Sequence, residues 1–435
     1  RATIRKPTYE ELFVTFYYTG CCQHIPMEFT QLQPNIIHLD INSCFATIEQ
    51  QANPNLRNKP IVVAAYTTNS GCILAASVTA KKLGIKTGMR VKEAKAIYPR
   101  VIVLEPDPSK YRFIHKKIFK ILKSYSFDVT PKSIDEFVFT LHRKVTPCGA
   151  AIEIKERIKK EVGEYITVSI GISTNRYLAK IASNLQKPDG LSEINKDNFK
   201  EVFTKLKLID LTGIKKGNSN RLNLYNIKTV LDFYDAPVWK LKLAFGGIGG
   251  LYWNTRLHGY ETDPTSPSLR DEVKQKTYGN SYAPPQNKAH LKLEILSKLC
   301  EKTGSRLRNA GLVANGIHLA INYRDGSFWH KSQKINKNIF ENNDIYKEAI
   351  NLLKQSPETE LPRVIAVNVF NLQSNQNLQL NIFNDEVGFH DQIKKSHLAG
   401  AIDVINNKWG LYTIHSARME SDPTVVQDRI SFHQL

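Results

Sequence analysis

The pattern of apolar and polar positions predicts two strands with acidic ends in the first third of the chain. Residues 36–39 are apolar apart from one histidine and lead into Asp40, and the apolar run 137–139 directly follows Asp135 and Glu136. Short runs of β-branched and aromatic residues are typical of buried strands. Because a charge beside such a strand is costly to bury without a partner, we expect the three carboxylates to serve a common site.

Helical and strand patterns alternate around these two runs. Residues 110–125 place apolar side chains three or four positions apart, which predicts an amphipathic helix. The same spacing recurs in residues 150–162, and residues 167–172 read as a buried strand. The alternation predicts an α+β domain of mixed strands crossed by helices.

The three acids have the chemistry of a magnesium site. Mg²⁺ prefers carboxylate oxygens and usually completes its octahedral shell with substrate phosphates. Two such ions held close together activate an attacking oxygen and neutralise a leaving one. Two neighbouring strands would present Asp40, Asp135 and Glu136 to such a pair of ions.

After residue 190 the pattern of apolar and polar residues changes and predicts short helices with short connections. Residues 261–268 are rich in Pro, Ser and Thr, which is typical of a tether between domains. The segment after the tether predicts a strand, a helix, two strands around a turn at 325–326, a second helix and a final strand at 363–372. This β-α-β-β-α-β order is that of a small, four-stranded ferredoxin-like domain.

The charge balance predicts a polyanionic partner. The chain carries 60 Lys and Arg against 41 Asp and Glu, a formal net charge of +19. Residues 274–337 hold twelve of the basic residues and three of the acidic ones, so nearly half of the excess lies in one stretch. A localised basic face is what binding to a phosphate backbone requires.

Cysteine usage and hydropathy predict a cytoplasmic protein. The six cysteines form no C-x-x-C pair, and the adjacent Cys21 and Cys22 cannot easily bond to each other. Both facts argue against a disulfide framework and against a zinc site. No stretch of the sequence approaches the ~18 apolar residues of a membrane span, so we expect no membrane partner.

Three segments stand in this order along the chain: L-D-I-N-S-C-F at 39–45, S-I-D-E at 133–136 and G-I-S-T-N-R-Y-L-A-K-I-A-S at 171–183. Together they resemble the Y-family of translesion DNA polymerases, and most closely its DNA polymerase IV branch. The similarity covers roughly residues 35–375. It implies an α+β multidomain fold, a right-hand polymerase with a palm, small fingers, a helical thumb and a ferredoxin-like little finger.

The resemblance also implies domain boundaries. We expect an N-terminal extension at 1–34, a palm at 35–191 with a fingers insert at about 53–108, a thumb with a helix-hairpin-helix at 192–260, a tether at 261–274, a little finger at 275–375 and a C-terminal segment at 376–435. The glycine-containing turn near residue 217 departs from the usual hairpin loop, so an ordinary helix pair is the alternative at that position.

The resemblance implies a reaction and the residues that perform it. Asp40, Asp135 and Glu136 match the metal-binding acids, with the Ile41 carbonyl as a further ligand for two Mg²⁺ ions, which Mn²⁺ can replace. A primer 3′-OH would attack the α-phosphate of a dNTP and expel pyrophosphate, with primer-template DNA as the partner. For the nucleotide, Phe45 matches the aromatic residue that excludes a ribose 2′-OH, and Cys44, Lys81 and Lys180 complete the expected binding set.

Five positions depart from the family pattern. Ala75, Val78 and Lys81 stand where the family usually has Thr, Tyr and Arg contacting the β- and γ-phosphates. Asn42 replaces a usual Asp, and Cys44 replaces a usual aromatic residue. Alanine and valine supply no donor, and lysine lacks the bidentate fork of arginine. Hydrogen bonds to a charged group contribute roughly 1.5–3 kcal/mol each, so these departures predict weakened nucleotide binding.

Candidate contacts with macromolecular partners lie in the second half. For the DNA backbone we expect a set in the little finger: Lys276, Tyr278, Asn280, Arg306, Arg308 and Arg324. The pentapeptide at 379–383 resembles the Q-L-x-L-F peptide by which bacterial polymerases hold a sliding clamp, with Gln379, Leu380, Ile382 and Phe383 as the binding residues. The alternative is that these apolar residues form a strand with the following segment, 390–432. We expect the protein to act as a monomer.

Two other functions compete with a lesion-tolerant, low-fidelity polymerase. A catalytically weak or inactive scaffold of the same fold, binding DNA and a clamp, would fit the lost phosphate donors but not the intact acids. A palm enzyme of another class, such as a nucleotidyl cyclase or a reverse transcriptase, would share the acids. The segment 171–183 and the basic domain after the tether argue against this second alternative.

Overall fold

A computed structural model describes residues 27–142, 145–262, 276–284, 286–357, 360–374, 386–410 and 412–419. These residues fall into two compact units, the first ending at 262 and the second running from 276 to 419. Within the described ranges, no helix has both the length and the apolar character that crossing a bilayer requires.

The first unit is built around a five-stranded sheet in the order β5-β6-β1-β7-β8. Its strands are β1 (Ile36–Ile41), β5 (Thr130–Pro131), β6 (Glu136–Thr140), β7 (Val168–Ser173) and β8 (Leu191–Ile194). The central strand β1 is antiparallel to both β6 and β7, and Asp40 is the Cα partner of Glu136 on one side and of Ser169 on the other. β8 pairs with β7 as far as Ile194, so the palm sheet continues past the predicted boundary at 191.

Strand alternation decides which face of this sheet packs against which helices. Ile37, Leu39 and Ile41 point into a fully buried core. This core is shared with helices α1 (Cys44–Ala52), α4 (Pro108–Lys123) and α5 (Pro147–Glu161). The opposite face, which carries His38 and Asp40, is covered by helix α6 (Arg176–Leu185).

A small second sheet lies between α1 and α4 in the chain, as the fingers insert predicts. Its strands are β2 (Ile61–Ala64), β3 (Ile73–Ala76) and β4 (Ile102–Leu104), in the order β3-β2-β4. Helices α2 (Val78–Lys82) and α3 (Val91–Ile97) complete the insert, and its core is separate from that of the main sheet. The side chain of Ser77 caps α2 by accepting a hydrogen bond from Ala80 N–H.

Five short helices follow the main sheet, as the thumb predicts. They are α7 (Phe199–Lys205), α8 (Lys216–Leu224), α9 (Val230–Asp235), α10 (Val238–Phe245) and α11 (Ile248–Leu257). Residues 27–34 of the predicted N-terminal extension join this region, because Phe29 stacks on Phe199 with ring centroids 4.2 Å apart. The remainder of that extension lies outside the described residues.

The second unit has the predicted β-α-β-β-α-β order. Strands β9 (Thr277–Tyr282), β10 (Leu312–Tyr323), β11 (Phe328–Ile339) and β12 (Pro362–Ser374) alternate with helices α12 (Lys292–Asn309) and α13 (Asn342–Leu353). The sheet order is β11-β10-β12-β9 and every pairing is antiparallel. Both helices share a core with one face of the sheet, including Ile317 and Leu319.

A further α-helix, α14 (Glu386–Trp409), follows this domain. The alternative to a clamp peptide, that the apolar residues of 379–383 form a strand with the segment 390–432, concerns residues outside the described ones, and the segment after them is helical as far as Trp409. Asp403 on α14 accepts two hydrogen bonds from Arg308 on α12, at 2.7 and 2.8 Å, which connect α14 to the helical layer of the second unit.

Candidate active site

The three acids converge because their strands are direct neighbours. Asp40 lies near the end of β1, and its Cα partner Glu136 begins β6. Ile41 N–H donates to the backbone oxygen of Asp135 at 2.9 Å, which places the third acid beside the same strand end. The structure thus brings together the residues that the sequence separates by almost a hundred positions.

Helix α6 adds a cation to this group. Lys180 contacts the Glu136 carboxylate directly, and its Nζ lies 3.6 Å from Asp40 Oδ2. The helix can approach because Gly171 faces it: a Cβ on Gly171 would lie 2.0 Å from the carbonyl oxygen of Ala179. Asn175 caps the helix by accepting a hydrogen bond from Leu178 N–H at 2.7 Å.

A second lysine, which the sequence pattern did not indicate, contacts the same oxygen of Asp40 as Lys180 does. Lys187 follows α6, and its Nζ lies 2.8 Å from Asp40 Oδ2. Lysines that follow a helix are usually solvated. Nothing in the local pattern marks this one, and only the tertiary fold shows the contact.

Environment separates the pKa values of the acids. Burial raises the pKa of Asp135; the hydrogen bond from Ser133 opposes this rise, and the charges of Asp40 and Glu136 add to it. Burial would also raise the pKa of Glu136, but the contacts with His38 and Lys180 outweigh it and lower that pKa to about 2. Mutual repulsion of this kind is relieved when a cation binds between the carboxylates.

An open cavity of about 570 Å³ lies against the acids. Besides Asp40 and Asp135, the residues that line it include Ile41, Asn42, Cys44, Phe45, Ala75, Val78, Lys81, Lys82 and Lys187. Every position predicted to contact the nucleotide therefore borders this cavity except Lys180, which contacts Asp40 and Glu136 from α6. The cavity is large enough for a small-molecule ligand.

Phe45 borders the cavity and is also part of the core. Its side chain is 1% exposed and stacks on Tyr111 with ring centroids 4.5 Å apart. The Tyr111 hydroxyl donates to Glu49 at 2.8 Å, and Glu49 also pairs with Lys110 at 2.6 Å. Packing from behind therefore fixes the position of the Phe45 ring.

The donor set fits divalent cations although the side chains now face lysines. Among the described residues, no three His, Cys, Asp or Glu side chains are already arranged around one ion position. Asp40 is turned to Lys187, Glu136 to Lys180, and Asp135 accepts from Ser133. Carboxylates on two adjacent strands, neutralised by ammonium groups, have the oxygen chemistry that Mg²⁺ takes.

The little-finger residues predicted to bind DNA do not share one surface. Tyr278 is half-buried and packs against the core that lies beneath the helices. Arg306 on α12 donates to Asn280 at 2.8 Å, which places this pair on the helix side of the sheet. The guanidinium of Arg308 donates hydrogen bonds to Asp403, Phe340 O and Asn342. This placement disagrees with its predicted role as a contact with the DNA backbone.

Two other predicted positions sit at the edges of the sheet. Lys276 is exposed just before β9, and Arg324 at the β10–β11 turn donates to Pro284 O at 3.3 Å. The other face of the sheet, which no helix of the described residues covers and which is called the uncovered face below, carries His318 and Ser332, which are cross-strand partners, and the exposed Lys334 opposite Gly316. The predicted clamp residues Gln379, Leu380, Ile382 and Phe383 lie outside the described residues.

Comparison with known proteins agrees with this architecture. Residues 39–184 match the impB/mucB/samB family and residues 274–382 match the C-terminal domain of that family. The chain is 30% identical to a DNA polymerase IV of Pelotomaculum thermopropionicum over 407 residues, covering 91% of this chain and 97% of that protein. It is 28% identical to DNA polymerase IV 1 of Bacillus subtilis over 383 residues, covering 86% and 90%.

Solved structures give the same picture. A Y-family DNA polymerase chimera of Dbh and Dpo4 superposes with a TM-score of 0.69 and 26% identity, over 78% of this chain and 99% of that one. An insertion ternary complex of Dbh DNA polymerase covers the same shares with a TM-score of 0.53 and 26% identity.

A palm with three converging acids, a fingers insert, a helical thumb and a separate four-stranded domain define a nucleotidyl-transferring polymerase. The chain belongs to the impB/mucB/samB family, the Y-family of DNA polymerases. It is a DNA-directed DNA polymerase of the translesion type, which acts on primer-template DNA and dNTP and depends on divalent metal.

Proposed function

We propose that Asp40, Asp135 and Glu136, with the Ile41 carbonyl, hold two Mg²⁺ ions, which Mn²⁺ can replace. The observation that carries this proposal is the pairing of Asp40 with Glu136 across two strands beside an open cavity. The ions would supply a site for the attacking 3′-oxygen and charge neutralisation for the departing pyrophosphate.

The chain's own residues position the nucleotide. Lys180 extends from α6 to the acids and supplies positive charge where the triphosphate meets the metal ligands. Phe45, backed by Tyr111, forms a rigid wall below the position of the sugar. Cys44, 5% exposed, packs beside this wall, and Lys81 faces the cavity from α2.

The test is primer extension with each dNTP singly and with Mg²⁺ or Mn²⁺. D40A, D135A and E136A should each abolish incorporation, because the remaining carboxylates no longer hold two ions in line, while affinity for primer-template is retained. E161Q changes an exposed acid of α5 and should extend primers as the wild type does. Wild-type protein that binds primer-template but incorporates no nucleotide with either metal would instead support the scaffold.

One observation favours the scaffold as the second candidate. Ala75 and Val78 border the cavity where hydrogen-bond donors to the phosphates are wanted. Introducing V78Y together with K81R should lower the KM for dNTP if the site is catalytic and merely weakened. K86R, an equivalent exchange at an exposed lysine, serves as the control.

We propose further that DNA lies on the uncovered face of the second-unit sheet and that residues 379–383 bind a sliding clamp. The support for the clamp peptide is its sequence and its place between β12, which ends at Ser374, and α14, which begins at Glu386. Replacing Leu380, Ile382 and Phe383 with alanine should abolish clamp stimulation and leave distributive synthesis intact. Equal loss of both activities would count against the clamp.

Because one chain supplies the whole site, we propose a monomer, which light scattering tests.

A further inference from the structure

The outer face of helix α4 is strongly basic. The helix holds six Lys and Arg residues and no Asp or Glu. Four of its lysines are exposed and follow one another at helical spacing: Lys116, Lys117, Lys120 and Lys123. Residues three or four positions apart lie side by side on a helix, so these lysines form one row. Across the described residues, none of the four forms a salt bridge with a carboxylate.

An exposed aromatic ring lies at each end of this row. Phe113 is 57% exposed, and Phe127, which follows the end of α4, is 72% exposed. Lys117 Nζ lies 4.9 Å from the centroid of the Phe113 ring. The Phe127 ring stacks on His142 with centroids 4.3 Å apart and 11° between the planes, so its other face is open to a further flat group. The four lysines and these two rings are called the α4 stripe below.

The fold fixes the direction in which the α4 stripe points. The opposite side of the helix, including Tyr111 and Ile118, is buried in the palm core. Lys123 Nζ donates to Phe127 O at 3.0 Å, which connects the row of lysines to the aromatic end. No member of the α4 stripe is among the described residues that line the cavity beside the acids. The stripe is therefore a surface separate from the catalytic site.

Neighbouring carboxylates do not neutralise the α4 stripe. Glu161 on α5 accepts a hydrogen bond from Arg157 Nε at 2.6 Å. That bond is the main cause of the lowered pKa of Glu161, to which the charge of Lys120 adds. Asp128, next along the chain, is buried and accepts from Thr140 N–H at 3.0 Å. The stripe thus keeps its positive charge, and its ligand should carry negative charge.

The make-up of the α4 stripe favours nucleic acid over a protein or a lipid surface. Protein interfaces are enriched in Arg, depleted of Lys and apolar at their centre. Here lysines fill the centre, and the two rings lie more than about 15 Å apart along the helix. Because the apolar face of α4 is already buried in the core, the helix cannot present it to lipid. Lysines that follow a phosphate backbone, with rings that stack on bases, are typical of surfaces that bind single strands.

We propose that the α4 stripe binds single-stranded DNA. Its lysines contact successive phosphates, and Phe127, supported by His142, stacks on a base. DNA is the expected single strand because this polymerase acts on primer-template DNA, whose template extends unpaired beyond the primer. This contact adds to the catalytic site and to the DNA face proposed for the second unit.

Fluorescence anisotropy with a labelled oligo-dT of about 20 nucleotides tests the stacking contact. F127A should weaken the affinity about tenfold, the effect of losing one stacked base. F127W should retain the affinity because its ring still stacks. F127L keeps an apolar side chain without a π-face and should behave as F127A does. Because Phe127 is exposed, all three variants should unfold at the wild-type Tm.

Salt dependence tests the lysines. K116Q together with K120Q should lower the slope of log K against log salt by about 0.7 for each phosphate contact that is lost. K347Q together with K354Q removes two exposed lysines of the α13 region and should leave the slope unchanged. D40A should bind oligo-dT as the wild type does, so failure of the catalytic site and failure of the α4 stripe are separate results.

The template strand is tested as the source of the single strand. Wild-type protein should bind primer-template with a long unpaired template more tightly than a blunt duplex, and F127A should lose most of this gain. A gain that F127A retains in full would overturn the assignment to the template strand.

Three other results would overturn the proposal. Unchanged oligo-dT affinity in F127A, with an unchanged salt slope in K116Q/K120Q, would show that the stripe is only a solvated basic surface. A larger effect of the same variants on oligo-rU than on oligo-dT would assign the stripe to RNA. Binding of labelled deca-glutamate that K116Q/K120Q abolishes, with oligo-dT binding unaffected, would assign it to an acidic protein.

Discussion

Gly171 lies so close to Ala179 that the fold leaves no room for a side chain at this position. A Cβ there would be 2.0 Å from the Ala179 carbonyl oxygen and 2.2 Å from the nitrogen of Ser183. The contact joins the sheet that carries Asp40 to the helix that carries Lys180. Their geometry therefore depends on a residue that touches neither of them.

G171A should destabilise the first unit and displace α6. Overpacking of this kind costs about 1–3 kcal/mol, and here both neighbouring atoms are backbone. Thermal unfolding should show a lower Tm, and primer extension should fall because Lys180 moves away from the acids. G217A is the control: nothing lies within 4 Å of its Cβ, so its Tm should not fall. Equal Tm values for wild type and G171A would contradict the packing argument.

Loss of the Phe45 ring should admit ribonucleotides. F45A removes the wall that Tyr111 supports, and the ratio of kcat/KM for rNTP to that for dNTP should rise by about tenfold or more. The buried position also predicts a stability cost of about 3 kcal/mol, so F45L serves as a milder variant. Y111F keeps the stacked ring and should keep the discrimination. An unaltered ratio in F45A and F45L would make Phe45 a core residue only.

Two basic residues of the second unit should differ in what their removal changes. Loss of Arg308 should lower the stability, and loss of Lys334 should lower the salt dependence of DNA binding. Arg308 and Asp403 form a bidentate pair in which both side chains are 10% exposed, so R308A leaves a buried charge and should cost about 3 kcal/mol. The salt dependence of DNA binding should stay the same. K334A, on the uncovered sheet face, should lower the slope of log K against log salt by about one with no change in Tm. A salt slope that is unchanged in K334A but lower in R308A would place the DNA on another surface.

Buried histidines should make the first unit sensitive to mild acid. Burial lowers the pKa of His38, His115 and His258 below 6.5, so each stays neutral in the fold to a lower pH than in the unfolded chain. The unfolded state then binds more protons, and the free energy of unfolding should fall as pH drops below about 6.5. Each histidine contributes at most about 1.4 kcal/mol per pH unit, and it does so only between its folded and its unfolded pKa.

H258Q tests this dependence at one position. His258 is 3% exposed, and its Nδ1–H donates to Asn254 O at 2.8 Å. Denaturant unfolding in metal-free buffer between pH 8 and pH 5 should show a shallower fall for H258Q than for the wild type. Parallel curves would mean that this histidine does not carry the dependence.

Much of the site could be predicted from the sequence because its signals are local. Asp40 and Glu136 stand at the ends of apolar runs whose strand character is decided by neighbouring residues, and the order of motifs is typical of one polymerase family. The β-α-β-β-α-β order of the second unit follows equally from local periods. In these places the side chains nearby in sequence already decide what is buried.

Other parts depend on contacts between distant segments. Residues in one strand alternate between faces, so the register that places Tyr278 and Asn280 toward the helices cannot be known before the strand is paired. The pairing of Arg308 with Asp403 joins residues of two helices far apart in the chain, and no local pattern shows it.

The sequence by itself determined the class of protein, the position of three acids at the ends of strands and the order of the elements. Strand and helix formation follow from short-range patterns of apolar residues. Only the tertiary structure decided that Lys187 reaches Asp40, that Gly171 lets α6 approach the sheet and that Phe45 is held by Tyr111. These contacts are set by how elements pack, and packing depends on the shape of many side chains at once.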